Sequence, residues 1–270
     1  MKRVDELIWN LKKVVAMKAR KEEGSNKSFR CELCQDRGLI LDSKRENVVK
    51  VCPCTRQQYL ELRYQYANIT PEIKDCTFEG FCLDYYRGVY KKQAIAALEA
   101  ARRFVEDYLR DPHTRGLLFT GDVGSGKTYL AGAIANALLK ENVRILFIVV
   151  PDFLDELRAT YNKIGSSEGS EPDDVTLLRG VREVDVLILD DLGAHNYTPW
   201  TCNKLYSLLN YRLNYKLPVI ITTNLSLGQL EQFLGERTTS RIVQMCQIYE
   251  LHVTKDIRHQ KNLYGLQKSK

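Results

Sequence analysis

Long hydrophobic segments are missing from this chain of 270 residues, and other features are scarce. The longest apolar runs, such as Ile145–Val150, are far shorter than the roughly 20 residues that a membrane helix needs. Asp5 and Glu6 stand where the apolar core of a signal peptide would begin. Seven prolines and 16 glycines are too few for a collagen-like or low-complexity chain. These absences predict a globular, cytoplasmic protein with no membrane partner.

Charge of one sign is not in large excess, but the basic residues are unevenly placed. The net charge of +6 divides into +5 for residues 1–30, −3 for residues 31–240 and +4 for residues 241–270. Basic ends on a mildly acidic body suggest that the partner is a polyanion such as nucleic acid, or an acidic protein. The alternative is that the basic ends only keep the protein soluble. Charge alone therefore leaves the partner open.

Four of the eight cysteines are clustered in the sequence. Cys31 and Cys34 form a C-x2-C pair, and after 17 residues Cys52 and Cys54 form a C-x-C pair. Two such pairs can place four thiolates around one tetrahedral metal ion, which leaves no open position for catalysis. Free thiols are the main alternative, and a disulfide framework is the weaker one in a reducing compartment. The spacing predicts a structural Zn²⁺ ion.

The hydrophobic pattern divides the chain into three parts. Residues 1–66 hold an amphipathic helix over Asp5–Arg20 and the cysteine module, residues 67–90 form an irregular connector, and residues 91–270 alternate helices with apolar strands. The connector carries four aromatic anchors: Phe78, Phe81, Tyr85 and Tyr86. Strands are predicted near 117–120, 144–149, 185–189, 218–222 and 247–253. This alternation predicts an α/β fold with a five-stranded parallel sheet flanked by helices.

The first of these strands runs into a glycine-rich motif of the form G-x-x-x-x-G-K-[ST]. The motif and the residue after it are Gly121, Asp122, Val123, Gly124, Ser125, Gly126, Lys127, Thr128 and Tyr129. In such a loop the glycines let backbone N–H groups converge on phosphates at the start of a helix. Lys127 would reach the β- and γ-phosphates, and the Thr128 hydroxyl would bind Mg²⁺. The alternative, a chance glycine-rich turn, is disfavoured by the strand before the loop and the helix after it.

Acidic and amide side chains follow two later strands. Asp190 and Asp191 come directly after Val186–Leu189, and the carboxyl ends of parallel strands meet at the crevice where phosphates lie. We expect Asp190 to hold Mg²⁺ and Asp191 to polarise the attacking water. Asn224 can hydrogen-bond the γ-phosphate or the water, or it simply caps a turn. The sequence has no Asn-Lys-x-Asp motif, so guanine-specific recognition has no support.

Several motifs taken together carry a family resemblance. They are the loop Gly121–Thr128 and the stretches Leu187–Gly193, Ile220–Asn224 and Gly235–Arg241. In combination they resemble the AAA+ ATPases that load the bacterial replicative helicase, the DnaC/DnaI type. Cys52-Pro53-Cys54 and Asp75–Phe81 are similar to the same group, and the cysteine module fused to the ATPase core is the specific part of the resemblance. The resemblance implies a P-loop AAA+ domain behind a small zinc-binding module, with a reduced or absent helical lid.

The resemblance also implies partners and roles. It implies ATP as the nucleotide, hydrolysis of ATP, a hexameric replicative DNA helicase and single-stranded DNA as partners, and a homo-oligomer that forms with ATP. Arg241 would reach the ATP of a neighbouring subunit, a role that Arg237 could share, and Arg258 would sense nucleotide in its own subunit. An ordinary surface ion pair is the alternative for these arginines. Because Asp-Asp replaces the more common Asp-Glu, we expect slow hydrolysis that depends on a partner.

One helical segment is a candidate for contact with DNA. Residues 152–164 are predicted to form a helix that carries Arg158, Tyr161 and Lys163, followed by a polar loop. In initiator-like AAA+ proteins a helical insertion at this place grips single-stranded DNA, and basic and aromatic side chains suit that ligand. A solvated helix face with a mobile loop is the alternative.

Three other functions remain open for the whole chain. A transposition-helper ATPase that binds DNA and a transposase is the main alternative, although the cysteine module argues against it. A zinc-containing nucleic-acid-binding module without ATP turnover is disfavoured by the intact Lys127, Thr128, Asp190 and Asn224. A small-molecule kinase is disfavoured by Ser240-Arg241 and by the lack of an evident acceptor pocket.

Overall fold

The computed structural model describes residues 29, 31–41, 49–164, 180–194 and 197–260. The chain divides into two compact units, Met1–Tyr59 and Leu60–Lys270. The helix predicted over Asp5–Arg20 lies outside the described residues, as does the polar loop predicted after Ile164. The domain boundaries predicted at residues 66 and 90 stay predictions.

A β-hairpin separates the two cysteine pairs of the first unit. Strand β1 (Leu39–Leu41) pairs antiparallel with strand β2 (Val49–Val51). At the base of the hairpin the backbone N–H of Cys52 donates to the carbonyl of Gly38 at 2.8 Å. The hairpin therefore returns the second cysteine pair to the first. Helix α1 (Pro53–Tyr66) follows, and the division between the two units falls within it.

The second unit is built on a parallel sheet of five strands. The strands are β3 (Gly116–Gly121), β4 (Ile145–Val149), β5 (Val186–Asp190), β6 (Val219–Thr223) and β7 (Cys246–Leu251), in the spatial order β4-β5-β6-β3-β7. Every residue of β5 and β6 is buried, as expected for parallel strands that are covered on both faces. The predicted five-stranded sheet is confirmed, with strand ends that differ from prediction by one or two residues.

Helices cover both faces of this sheet. They are α2 (Pro71–Lys74), α3 (Val89–Arg110), α4 (Lys127–Lys140), α5 (Val150–Ile164), α6 (Pro199–Asn214), α7 (Leu227–Leu234) and α8 (Glu236–Met245). Apolar side chains of α3 and α4 form one core layer, and those of α5 to α8 form the other. No helix in the described part of the chain is long and apolar enough to cross a membrane.

Local sequence signals set the start of two helices near the site. Thr198 caps α6, where its hydroxyl accepts from the backbone of Thr201 and Pro199 occupies the first turn. Ser226 and Gln229 form the same reciprocal capping arrangement at the start of α7. These caps end the loops that follow β5 and β6, and so they help to fix the polar residues at the carboxyl edge of the sheet.

The connector runs along helix α4 rather than standing apart from it. Arg63 of α1, which leads into the connector, donates to the side chain of Asn142 at 2.7 Å, just beyond the C-terminal end of α4. Asn136, in the middle of α4, donates to three carbonyls of residues 73–76. Thr77 donates its backbone N–H to the Tyr129 hydroxyl near the start of α4. The connector thus follows the helix back to the glycine-rich loop.

Candidate functional site

The glycine-rich loop joins β3 to α4 at the carboxyl edge of the sheet. Gly124 and Gly126 have φ of 69° and 92°, a region that side chains other than glycine rarely adopt. A Cβ atom at Gly126 would also crowd Phe81 and the Tyr86 hydroxyl. The loop therefore needs glycine at both places, and it turns its backbone at the start of a helix, where a phosphate is favoured.

Lys127 is a buried cation at the centre of the loop. Its side chain is 6% exposed, and its Nζ donates to the carbonyls of Gly121 at 3.0 Å and Asp122 at 2.6 Å. Burial lowers the pKa of Lys127 to about 8, although the nearby carboxylates of Asp122, Asp191 and Asp190 act in the opposite direction. No carboxylate among the described residues forms an ion pair with it. Such an ammonium group is suited to an anionic ligand.

Asp190 is held at the end of β5 by two hydroxyl groups. Thr128 Oγ1 donates to Asp190 Oδ1 at 2.9 Å, and Thr222 Oγ1 donates to the same atom at 2.6 Å. Burial raises the pKa of Asp190, and the two hydrogen bonds partly offset that effect. The structure thus brings Thr128 and Asp190 together, and their oxygens are ligands of the type that Mg²⁺ prefers. Thr222 was not identified from the sequence.

Asp191 and Asn224 meet beside this pair. Asn224 Nδ2 donates to Asp191 Oδ1 at 2.8 Å, and the Asp191 backbone N–H donates to Thr222 Oγ1 at 2.9 Å. Asp191 has a φ of 58°, a left-handed conformation that aspartate tolerates better than most residues. Thr222 therefore holds both members of the acidic pair, one through its donor and one through its acceptor.

Arg258 lies at the edge of the loop, and Asp256 orients it. Arg258 Nη2 lies 2.9 Å from Asp256 Oδ2. The hydrogen bond from Arg258 lowers the pKa of Asp256, and the same contact raises the pKa of Arg258. The Ile257 backbone N–H donates to the Gly124 carbonyl at 3.1 Å, which ties this segment to the loop. Two-thirds of the Arg258 side chain stays exposed, and the charges of Lys127 and Asp191 are close enough to act on it.

A small pocket opens beside the loop. Its lining comes from the connector, the loop, helix α4 and the segment after β7: Gly80, Phe81, Cys82, Tyr85, Tyr86, Gly126, Tyr129 and Ile257. Only Gly126 and Tyr129 of this lining were predicted as site residues. The aromatic residues of the connector were recognised as anchors, but nothing in the sequence reveals that they return to the loop.

Other predicted site residues lie elsewhere. Arg241 on α8 donates to Gln244 of its own helix at 3.3 Å, and no contact described here joins it to the loop. The side chains of Tyr161 and Lys163 lie outside the described part of the chain, while Arg158 lies 3.7 Å from Asp155. The exposed side chain of Val123 stands at the tip of the loop.

The four clustered cysteines converge in the first unit. The Sγ atoms of Cys31, Cys34, Cys52 and Cys54 all lie within 4.8 Å of one another. Cys31 Sγ is 3.7 Å from Cys52 Sγ, and Cys34 Sγ is 3.3 Å from Cys54 Sγ. A tetrahedral Zn²⁺ ion with Zn–S bonds of about 2.3 Å separates its sulfurs by about 3.8 Å. The donor set therefore fits a four-thiolate metal site.

This chain is similar to several known proteins in sequence or in structure. Replicative helicase loader DnaC of Escherichia coli K12 is 27% identical over 187 residues, which cover 69% of this chain and 71% of DnaC. The phage-like element PBSX protein XkdC of Bacillus subtilis 168 is 28% identical over 259 residues, 91% of this chain and 90% of XkdC. The crystal structure of DnaI matches with a TM-score of 0.54 and 29% identity, over 70% of this chain and 94% of that one.

These matches confirm the predicted family resemblance and the AAA+ fold. The similarity to XkdC extends over most of the chain, whereas the similarity to DnaC and DnaI covers about two-thirds of it. The family model of the IstB-like ATP binding proteins matches residues 75–264, which include the glycine-rich loop, the acidic pair and Arg258. The chain belongs to the family of IstB-like ATP binding proteins.

Proposed function

We propose that this protein is an ATP-dependent loader that places a hexameric replicative DNA helicase on single-stranded DNA. The observation that carries the proposal is the similarity to the replicative helicase loader DnaC over the part of the chain that holds the candidate nucleotide site. The four-cysteine cluster joined to this part agrees with the resemblance drawn from the sequence. In this role ATP acts as a switch, and the product is a protein–DNA assembly.

ATP would bind at the glycine-rich loop with its phosphates on Lys127. The support is the buried ammonium group, whose hydrogen bonds within the described part of the chain go to loop carbonyls and to the Ser125 hydroxyl. Thr128 and Asp190 would hold Mg²⁺, which supplies charge neutralisation for the phosphates when bound. The base would enter the pocket lined by Phe81, Tyr86 and Ile257, where aromatic and apolar surface suits a purine ring.

Hydrolysis would use the pair formed by Asp191 and Asn224. Asp191 would accept a proton from the attacking water, and Asn224 would orient Asp191 and the water through its amide. Arg258 would respond to the γ-phosphate in the same subunit by leaving Asp256. Arg241 of one subunit would face the ATP of the next, because its described hydrogen bond in the single chain is only to Gln244. This arrangement makes the active form a homo-oligomer.

The cysteine cluster would hold one structural Zn²⁺ ion per chain. The sulfur separations support this role, and four thiolates leave no position for substrate. We expect metal analysis of the purified protein to find about one zinc per chain, because structural zinc sites of this kind are closed and tightly held. Protein without zinc whose four thiols all react under native conditions would contradict the assignment.

A transposition-helper ATPase is a second candidate. The name of the matching family, IstB-like ATP binding protein, is the observation that favours it. In that role the protein would bind duplex DNA and a transposase, and it would not bind a hexameric helicase. Copurification with a replicative helicase in the presence of ATP separates the two candidates.

The decisive experiment mixes two defective variants in a loading assay. Arg241→Ala should bind ATP normally but fail to hydrolyse it, and Lys127→Ala should fail to bind ATP. A mixture of the two should recover part of the hydrolysis and of the helicase-dependent unwinding, because wild-type Arg241 of one chain can then face wild-type Lys127 of another. Arg237→Ala, on the same helix, tests whether the second arginine shares this role. Full hydrolysis by Arg241→Ala alone, together with no helicase loading by the wild type, would contradict the proposal.

A further inference from the structure

Most carbonyl groups of the glycine-rich loop accept a hydrogen bond from another described residue. Gly121 and Asp122 accept from Lys127, and Gly124 accepts from the backbone of Ile257. The Ser125 carbonyl accepts from Tyr86 Oη at 2.6 Å. When the N–H groups of a loop bind an anion, its buried carbonyl groups need hydrogen-bond donors from the side away from that anion. At Ser125 the donor is a side chain from the connector.

Tyr86 is built into the back of the loop. It is 2% exposed, and its ring stacks on Phe81 with centroids 5.6 Å apart. Both rings lie against Gly126, where a Cβ atom would crowd the Tyr86 hydroxyl. Because the hydroxyl is buried, its hydrogen bond to Ser125 is not exchanged for one to water. The ring fixes the position of the hydroxyl, and the hydroxyl fixes the Ser125 carbonyl.

The connector that carries Tyr86 is itself anchored to helix α4. The side chain of buried Asn136 donates to the carbonyls of Ile73 at 2.8 Å, Lys74 at 3.2 Å and Cys76 at 2.6 Å. The backbone N–H of Thr77 donates to Tyr129 Oη. Tyr86 therefore approaches the loop from a segment that is hydrogen-bonded to α4, the helix that directly follows the loop.

We propose that Tyr86 is a positioning residue for the phosphate-binding loop: its hydroxyl acts on the triphosphate through the Ser125 carbonyl, while its ring lines the pocket proposed for the base. The proposal rests on the proposed function, because it takes ATP as the ligand of the loop. When Lys127 turns from the loop carbonyls to the phosphates, the bond from Tyr86 remains and keeps the loop in its binding conformation. Loss of this bond leaves a buried carbonyl unpaired in the conformation that binds ATP.

The test compares Tyr86→Phe with Tyr108→Phe. Tyr108 is a buried tyrosine of the same core layer and serves as the matched control. We expect Tyr86→Phe to weaken binding of ATP and of inorganic tripolyphosphate by the same factor, about fivefold, as for the loss of one hydrogen bond. Tyr108→Phe should leave both affinities unchanged. In the nucleotide-free proteins, amide hydrogen exchange of residues 122–127 should be faster in Tyr86→Phe only.

The outcomes separate this proposal from its premise. If tripolyphosphate binds Tyr86→Phe as tightly as wild type while ATP binds more weakly, the Tyr86 hydroxyl acts on the base and not on the loop, and the proposal is wrong. Unchanged hydrogen exchange of the loop in Tyr86→Phe also overturns it. If wild-type protein binds no ATP, the proposed function fails, but the hydrogen-exchange comparison still decides whether Tyr86 holds the loop.

Discussion

The two edges of the parallel sheet each hold a buried cation, and the two cations are used in opposite ways. At the amino edge, Arg212 of helix α6 is completely buried. Its guanidinium donates to five backbone carbonyls, those of Val181, Arg182, Val184, Asp185 and Pro218. At the carboxyl edge, Lys127 is nearly as buried but donates to two carbonyls and a hydroxyl of its own glycine-rich loop.

The two cations differ in whether a ligand can replace their hydrogen-bond partners. The partners of Arg212 belong to the segments that lead into β5 and β6. Loss of the Arg212 guanidinium would therefore disturb the alignment of two central strands. The partners of Lys127 are backbone groups of a turn, and a triphosphate offers stronger, charged acceptors. A buried cation with permanent partners stabilises the fold, whereas one with replaceable partners is available for a ligand. Three predictions follow from this contrast, and the first concerns stability.

Arg212→Met should cost the largest free energy. Five carbonyls lose a donor in a buried region, and we expect the free energy of unfolding to fall by about 3–5 kcal/mol. Urea unfolding of the purified variant measures this change. Arg182→Met is the control, because Arg182 is only partly buried and donates to Ser207, and it should cost about 1 kcal/mol. Equal stability of Arg212→Met and wild type would remove the distinction between the two edges.

Lys127→Met should weaken ATP binding without lowering the stability of the nucleotide-free protein. We expect ATP affinity to fall at least about 100-fold, or about 2.7 kcal/mol, because the charged contact with the phosphates is lost. The nucleotide-free variant should be as stable as wild type or about 1 kcal/mol more stable, since a desolvated charge is removed. Calorimetric titration and urea unfolding measure the two effects. Lys140→Met, at the exposed end of the same helix, should change neither.

Much of the carboxyl edge was predictable from local sequence. The loop motif itself contains the lysine and the threonine. The uninterrupted apolar run Val186–Leu189 predicts a buried parallel strand with Asp190 at its end. These signals are local because strand, loop and helix follow one another along the chain. The sheet and the meeting of Thr128 with Asp190 therefore agree with the pattern.

The remaining contacts depend on separations that a local pattern does not contain. Tyr86 and Ser125 are 39 residues apart, and Thr222 lies 32 residues from Asp190. Which tyrosine of the connector reaches the loop depends on how the connector runs along α4. Arg212 is a similar case, because a charged residue in a helix usually faces water. Its spacing after Leu205, Leu208 and Leu209 does place it on the buried face of the helix. The periodicity therefore predicts burial of Arg212, although its charge argues against it.

Thr222→Val should give the smallest effect and the most specific one. The change keeps the shape of the side chain but removes the donor to Asp190 and the acceptor for the Asp191 backbone. We expect ATP hydrolysis to slow about fivefold to tenfold, with ATP affinity changed less than about twofold and stability lowered by about 1 kcal/mol. Steady-state hydrolysis, ATP titration and urea unfolding measure these effects.

The neighbouring residue supplies the control for this last change. Thr223 is equally buried, but its hydroxyl donates to the carbonyl of Leu192 and accepts from the backbone of Leu225, so it does not touch either aspartate. Thr223→Val should therefore lower stability by a similar amount, about 1 kcal/mol, without the selective loss of hydrolysis. If both variants slow hydrolysis equally, the acidic pair responds to general loosening of β6. If only Thr222→Val does, the hydroxyl of Thr222 aligns the two carboxylates, and the carboxyl edge depends on specific side-chain hydrogen bonds where the amino edge depends on backbone carbonyls.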